Sequence, residues 1–116
     1  MRRVLICGGR GFTDADRLNR ILDAAHAREP FACVIHGDYR GADKLAKAWA
    51  ESRSIPHLPF PPEWIVFGKS AGPLRNQKML DEGKPDIVVA FPGGDGTADM
   101  IRRAEKRGIH VRKIKP

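Results

Sequence analysis

Apolar residues fall into short unbroken runs separated by stretches with helical periodicity. Val4-Leu-Ile-Cys7, with Arg3 before it, reads as a buried strand, and Phe31–His36 reads as a second. Between them, Leu18, Ile21, Leu22 and Ala25 form one stripe, which predicts a helix from Thr13 to about Arg28. Thr13 is its expected N-cap, with Asp16 three residues on. Leu45 and Trp49 lie one turn apart and predict a helix over Ala42–Ser52. Ile55–Phe60 is interrupted by prolines and fits a short strand near an edge. Residues 61–73 read as a long loop, and Pro73 to about Glu82 as a short helix stopped by Gly83. Asp86–Phe91 is the most hydrophobic strand, and Thr97–Arg107 is the last helix, closed by Gly108. Ile109–Lys113 alternates like an edge strand with one wet face.

The order is strand and helix in strict alternation, ending on a strand. Parallel strands need crossovers, so this pattern predicts an α/β, Rossmann-like, three-layer αβα domain spanning residues 1–116, with a mostly parallel five-stranded sheet. Sites in such sheets lie at the carboxyl ends of the strands, near the point where strand order reverses.

Composition narrows the classes. At 116 residues, 41% hydrophobic and 30% charged, the chain has the profile of a soluble globular protein. No apolar run approaches the ~20 residues of a membrane span. Met1-Arg2-Arg3 leads into only four apolar residues before Gly8, which argues against a signal peptide. Cys7 and Cys33 fall in predicted strands with no CxxC spacing, so a reducing, cytoplasmic setting is expected. The net charge is +7, and residues 97–116 contribute seven basic and two acidic groups to it. Such a balance points to an anionic partner or to a solvated basic face.

Three loops at the expected rim are rich in glycine: Gly8-Gly9-Arg10-Gly11, Gly37-Asp38-Tyr39-Arg40-Gly41 and Pro92-Gly93-Gly94-Asp95-Gly96-Thr97. Glycine lets a backbone approach a ligand closely, and free amides at a helix start attract anions. The last loop carries the strongest phosphate signal, three glycines in four residues followed by Thr97. The first is neither GxGxxG nor a P-loop. Arg75 is a candidate phosphate clamp, Asn76 a sugar or base contact, and Lys69 a further cation. His36 ends a strand at the rim, where it either contacts ligand or braces the loop. Asp43 lies just beyond it and is a further candidate. Trp64 and Phe67 are candidates for a lid or for stacking a base. The four histidines lie on different elements without ligand spacing, so neither a metal nor another cofactor is expected.

Several blocks occur together: His36-Gly-Asp-Tyr-Arg-Gly-Ala-Asp43 with Trp49-Ala50, Ala71-Gly-Pro-Leu-Arg75-Asn76 with Met79-Leu80, and Pro85-Asp86 through Pro92-Gly-Gly-Asp-Gly-Thr-Ala-Asp-Met100. In these the chain resembles the YspA-related family of the SLOG superfamily, named for the Smf/DprA and LOG proteins. The resemblance runs nearly end to end. It implies a Rossmann-like fold that binds nucleotides or nucleotide-derived ligands, and self-association into a homo-oligomer.

The LOG branch cleaves the N-glycosidic bond of nucleoside monophosphates and resembles PGGxGTxxE. Here the Glu position is Met100, and a thioether cannot replace a carboxylate. Asp99 lies about 100° away on the helix. Asp38 and Glu63 are the further carboxylates open to recruitment, and the branch's Arg maps to Arg75. The leading expectation is therefore a sensor or sequestering module for a nucleotide. A phosphoribohydrolase using Arg75 and Asp99 is the alternative, and single-stranded nucleic-acid binding, as in the DprA branch, is the second. The expected cleft lies away from the basic C-terminal segment.

Overall fold

Side chains alternate across each strand, and this sorts the apolar ones into two cores. The computed structural model describes residues 1–116. Its elements are β1 (Arg2–Cys7), α1 (Ala15–Arg28), β2 (Phe31–His36), α2 (Ala42–Ser52), β3 (His57–Pro59), α3 (Trp64–Phe67), α4 (Ala71–Gly83), β4 (Ile87–Ala90), α5 (Asp95–Lys106) and β5 (His110–Lys113). Val4 and Ile6 of β1 point to one face, where they meet Leu18 and Leu22 of α1 and Trp49 of α2. Leu5 and Cys7 point to the other, against Met79 and Leu80 of α4 and Met100 and Ala104 of α5. The sheet is thus covered on both sides, as an all-parallel sheet requires.

The strand order is β3-β2-β1-β4-β5, with every pairing parallel. The chain winds outward from β1 to β3, then returns to place β4 on the other flank of β1. The reversal lies between β1 and β4, where the following loops diverge and leave a crevice. The two short strands expected at edges, β3 and β5, are at the edges.

Four local expectations are corrected. Asp14, not Thr13, caps α1: its carboxylate accepts from the Arg17 amide at 3.1 Å, adding a charge that favours the helix N-terminus. Residues 61–73 are not a plain loop. Trp64–Phe67 is one helical turn, followed by a 3-10 turn (Gly68–Ser70) that runs directly into α4 at Ala71. Its Trp-Ile-Val-Phe run leaves Ile65 and Val66 exposed, so it has no buried stripe to betray a helix. Gly83 ends α4 without supplying the left-handed residue, which is Lys84 at φ 50°. Gly83 is needed for contact: a Cβ there would lie 3.1 Å from Ile35 Cγ2 on β2. Finally, α5 starts at Asp95 with Gly94 at the cap, so Thr97 lies inside its first turn.

Candidate functional site

The three rim loops are bonded to one another. The Gly9 amide donates to Pro92 O at 2.9 Å, and Gly9 O accepts from the Ala42 amide at 3.1 Å. Gly9 therefore joins the start of α2 to the loop before α5. Gly41 has φ +81°, and a Cβ on it would collide with Gly9 O. The glycines here serve close approach as much as turning.

Between these loops and α4 lies a cleft of about 610 Å3, within the usual ~300–1,000 Å3 of small-molecule sites. Gly8, Gly9, Arg10, Tyr39, Arg40 and Asp43 line one side. Trp64, Lys69, Arg75 and Asn76 line another, and Gly94, Gly96, Thr97 and Asp99 a third. Pro92 and Gly93 lie behind, lining a shallower depression beside Gly9–Asp14. Gly93 packs so tightly that a Cβ would collide with the Thr97 hydroxyl.

No side chain caps α5, so its first-turn amides are open toward this cleft. Thr97 is only 8% exposed and lines the cleft.

Arg75 is held by two bonds, Nη1 to Gly37 O at 2.6 Å and Nε to Asn76 Oδ1 at 3.1 Å. Burial lowers its pKa, opposed chiefly by Asp43. Asn76 donates to Gly96 O at 3.1 Å and to Asp99 Oδ2 at 3.0 Å, tying α4 to α5. Asp99 also accepts from Arg103 Nε at 2.8 Å and Arg102 at 3.4 Å. Burial pushes the Asp99 carboxyl up, but the bonds from Asn76 and Arg103 and the two arginine charges outweigh it and hold the group below its ordinary value.

Asp43 behaves differently. Burial pushes its carboxyl up to about 6, against the pull of Arg75 and the amides of Tyr39 and Gly37. Cys7 lies on the cleft floor, but burial and the Asp43 charge push its thiol up to about 12, so it stays protonated and is a poor nucleophile.

Not every candidate reaches the cleft. His36 is fully buried: Nδ1 accepts from the Asp38 amide at 3.0 Å, which leaves Nε2–H to donate to His57 Nδ1 at 2.9 Å. It braces the loop, and Gly37 acts through its carbonyl on Arg75. Asp38 pairs with Lys44, and neither Asp38 nor Glu63 lines the cleft, so neither is placed to replace the missing Glu. Met100, at the Glu position, is in the core. Phe67 lies outside the cleft, whereas Trp64 lines it with its ring centroid 6.1 Å from that of Tyr39.

Sequence reasoning missed Arg40, Arg102 and Cys7 as lining residues. Arg102 is the one basic residue of the C-terminal segment that lines the cleft; Arg103, Lys106, Arg107, Arg112, Lys113 and Lys115 do not. Its spacing of three from Asp99 was the available signal, since residues three apart share a helix face. Cys7 was marked only by ending a strand at the reversal point.

Comparisons with known proteins agree with this architecture. The chain is 40% identical to the "Gene 61 protein" of Mycobacterium phage D29 over 120 residues, covering 96% of this chain and 94% of that protein. Its fold is similar to the X-ray structure of DNA processing protein A (DprA) from Streptococcus pneumoniae, with a TM-score of 0.80 at 15% identity. That match covers all of this chain and 51% of the DprA chain, so the protein spans about half the length of that neighbour. No helix is long and apolar enough to cross a membrane. The sequence model YAcAr, described as "YspA, cpYpsA-related SLOG family", matches residues 2–66, and with the phage relative's near full-length identity the chain belongs to that family.

Proposed function

We propose that this protein binds a nucleotide or nucleotide-derived ligand, with a phosphate at the start of α5, and acts as a sensor or sequestering module. One observation carries the reading. An uncapped helix start opens on the cleft beside Thr97, a residue that is only 8% exposed and lines it. Arg75, fixed by Gly37 and Asn76, supplies a preorganised cation. Tyr39 and Trp64 supply an aromatic wall for a base. In this reading residues 1–116 form a single nucleotide-binding domain, working in the cytoplasm as a homo-oligomer. Calorimetry against nucleoside mono- and diphosphates and ADP-ribose tests it. Binding that weakens at least tenfold in Thr97→Val supports it, and no binding of any of them at millimolar concentration overturns it.

Single-stranded nucleic acid is a second reading. It is favoured by Arg10, Arg40, Lys69 and Arg102 around a cleft that also holds Tyr39 and Trp64. The likeness to DprA, a DNA processing protein, points the same way. A salt-dependent gel shift with single-stranded DNA supports this reading; an absent or salt-insensitive one dismisses it. Hydrolysis is less favoured, because the bonds to Asp99 occupy it and Met100 is in the core.

A further inference from the structure

Three carboxylates line the cleft, and only one has a place that phosphate binding leaves unexplained. Asp95 is exposed on the first turn of α5. Asp99 is tied to Asn76, Arg102 and Arg103. Asp43 is 8% exposed, and a buried carboxylate both costs solvation and repels a phosphate.

Its neighbours hold it without consuming it. The amides of Gly37 and Tyr39 face it. Arg75 attracts it, but two of the five guanidinium N–H donors go to Gly37 O and Asn76 Oδ1 and none bonds to Asp43, so the two charges stop short of an ion pair. Accepting capacity is therefore left over, and an ionised carboxylate has about four lone-pair sites. The unmet demand is for hydroxyl donors.

Its position sets where those donors lie. Asp43 follows Ala42, which is bonded to Gly9, and Gly9 is bonded to Pro92 and packs against Gly93 in the loop that leads to Thr97. Gly9 thus bridges the two loops through its own amide and carbonyl. A ligand carrying phosphate at one end and paired hydroxyls about a sugar's width away satisfies both. We propose that Asp43 accepts hydrogen bonds from the 2′- and 3′-hydroxyls of a ribonucleotide whose 5′-phosphate sits at the start of α5, so that the cleft selects ribose over deoxyribose ligands. Acidic side chains recognise ribose in the same way in other Rossmann-type folds. This rests on the nucleotide reading above.

The test is calorimetry with the four common ribonucleoside 5′-monophosphates and their 2′,3′-dideoxy counterparts, on the wild type and on Asp43→Asn. The wild type is expected to prefer the ribose form of its best ligand by about tenfold or more, the usual effect of a charge-assisted hydrogen bond. Asp43→Asn is expected to bring that ratio to within about twofold while the dideoxy ligand still binds. A merely structural brace would weaken both ligands together and leave the ratio unchanged, which overturns the proposal. A wild-type ratio near one overturns it without any variant, and the phosphate reading survives. If no monophosphate of either kind binds the wild type, this proposal fails, and the nucleotide reading falls with it only when the diphosphates and ADP-ribose do not bind either.

Discussion

Asn76 Nδ2 donates to Asp99 Oδ2 at 3.0 Å, and this bond clamps the start of α4 to the first turns of α5. The same nitrogen also reaches Gly96 O, so a single 4%-exposed amide organises the wall beside the proposed phosphate position. It also helps keep Asp99 ionised and occupied, which removes that carboxylate from chemistry.

Asn76→Ala is therefore expected to destabilise the fold by about 2 kcal/mol, since it strands Gly96 O and one Asp99 oxygen in a partly buried place. Urea unfolding monitored by circular dichroism measures this. A loss below ~0.5 kcal/mol would show that solvent replaces the clamp.

Two glycine substitutions should weigh differently on stability and on binding. At Gly41 the φ of +81° is unfavourable to any side chain, and a Cβ meets the Gly9 backbone. Gly41→Ala should cost about 2 kcal/mol or more. At Gly37 the Cβ meets both the Arg75 guanidinium and the buried Asp43 carboxylate. Gly37→Ala should cost about 1 kcal/mol of stability and in addition lower nucleotide affinity by about tenfold, because Arg75 is displaced from Gly37 O. Melting curves and calorimetry on both variants check the contrast.

Stability should depend on pH through two opposed groups. Asp43, surrounded by Arg75, Cys7 and Asp38, is pushed up to about 6 from the ordinary 3.8. The native state then holds its proton more tightly than the unfolded chain, so its contribution is full below about 4 and is lost as pH rises through 6. Burial and His57, with Lys47 and Lys44, push His36 down to about 4 from 6.5, against Asp38. Its contribution is full above about 6.5 and is lost as pH falls through 4. In the wild type the two partly cancel between pH 4 and 6. On acidification across that window, Asp43→Asn should lose on the order of 2 kcal/mol more than the wild type. His36→Asn should instead gain stability. Denaturant titrations at pH 4, 5, 6 and 7 report both slopes.

Trp64 is 46% exposed and lies beside Tyr39, so truncating it should touch the fold little. Trp64→Ala is expected to shift unfolding by less than ~1 kcal/mol and to weaken nucleotide binding by 1–2 kcal/mol, about the value of one stacked base. Binding of inorganic phosphate, which has no base, should be unchanged. Equal losses for both ligands would show that Trp64 shapes the loop and does not stack.

Much of the architecture was legible. Runs such as Val4–Cys7 and Ile87–Ala90 are too apolar and too short for anything but covered strands, and their alternation with helices forces crossovers and hence a parallel sheet. Pro92–Thr97 was legible as a glycine-rich turn into a helix at the rim, and the structure places Gly94, Gly96 and Thr97 in the wall of the cleft. The α3 turn was illegible because Ile65 and Val66 bury nothing, and periodicity reports only what is buried. Asp14 was hidden by its neighbour: Thr13 and Asp14 are both good caps, and only the chain's entry angle chooses between them.

The sequence by itself determined the five strands and the four longer helices, their parallel arrangement and the glycine loops that crowd one rim, because hydrophobic period and backbone permissiveness are local properties. Which side chains face the cleft was decided only by the tertiary structure. His36 and Asp43 both flank the glycine-rich loop after β2, yet one is sealed against His57 and the other is left with accepting capacity in the cleft. Asp99 and Arg102 belong to a helix whose rotation is set by Met100 and Ala104 packing under the sheet. That packing is a long-range contact, and no local pattern contains it.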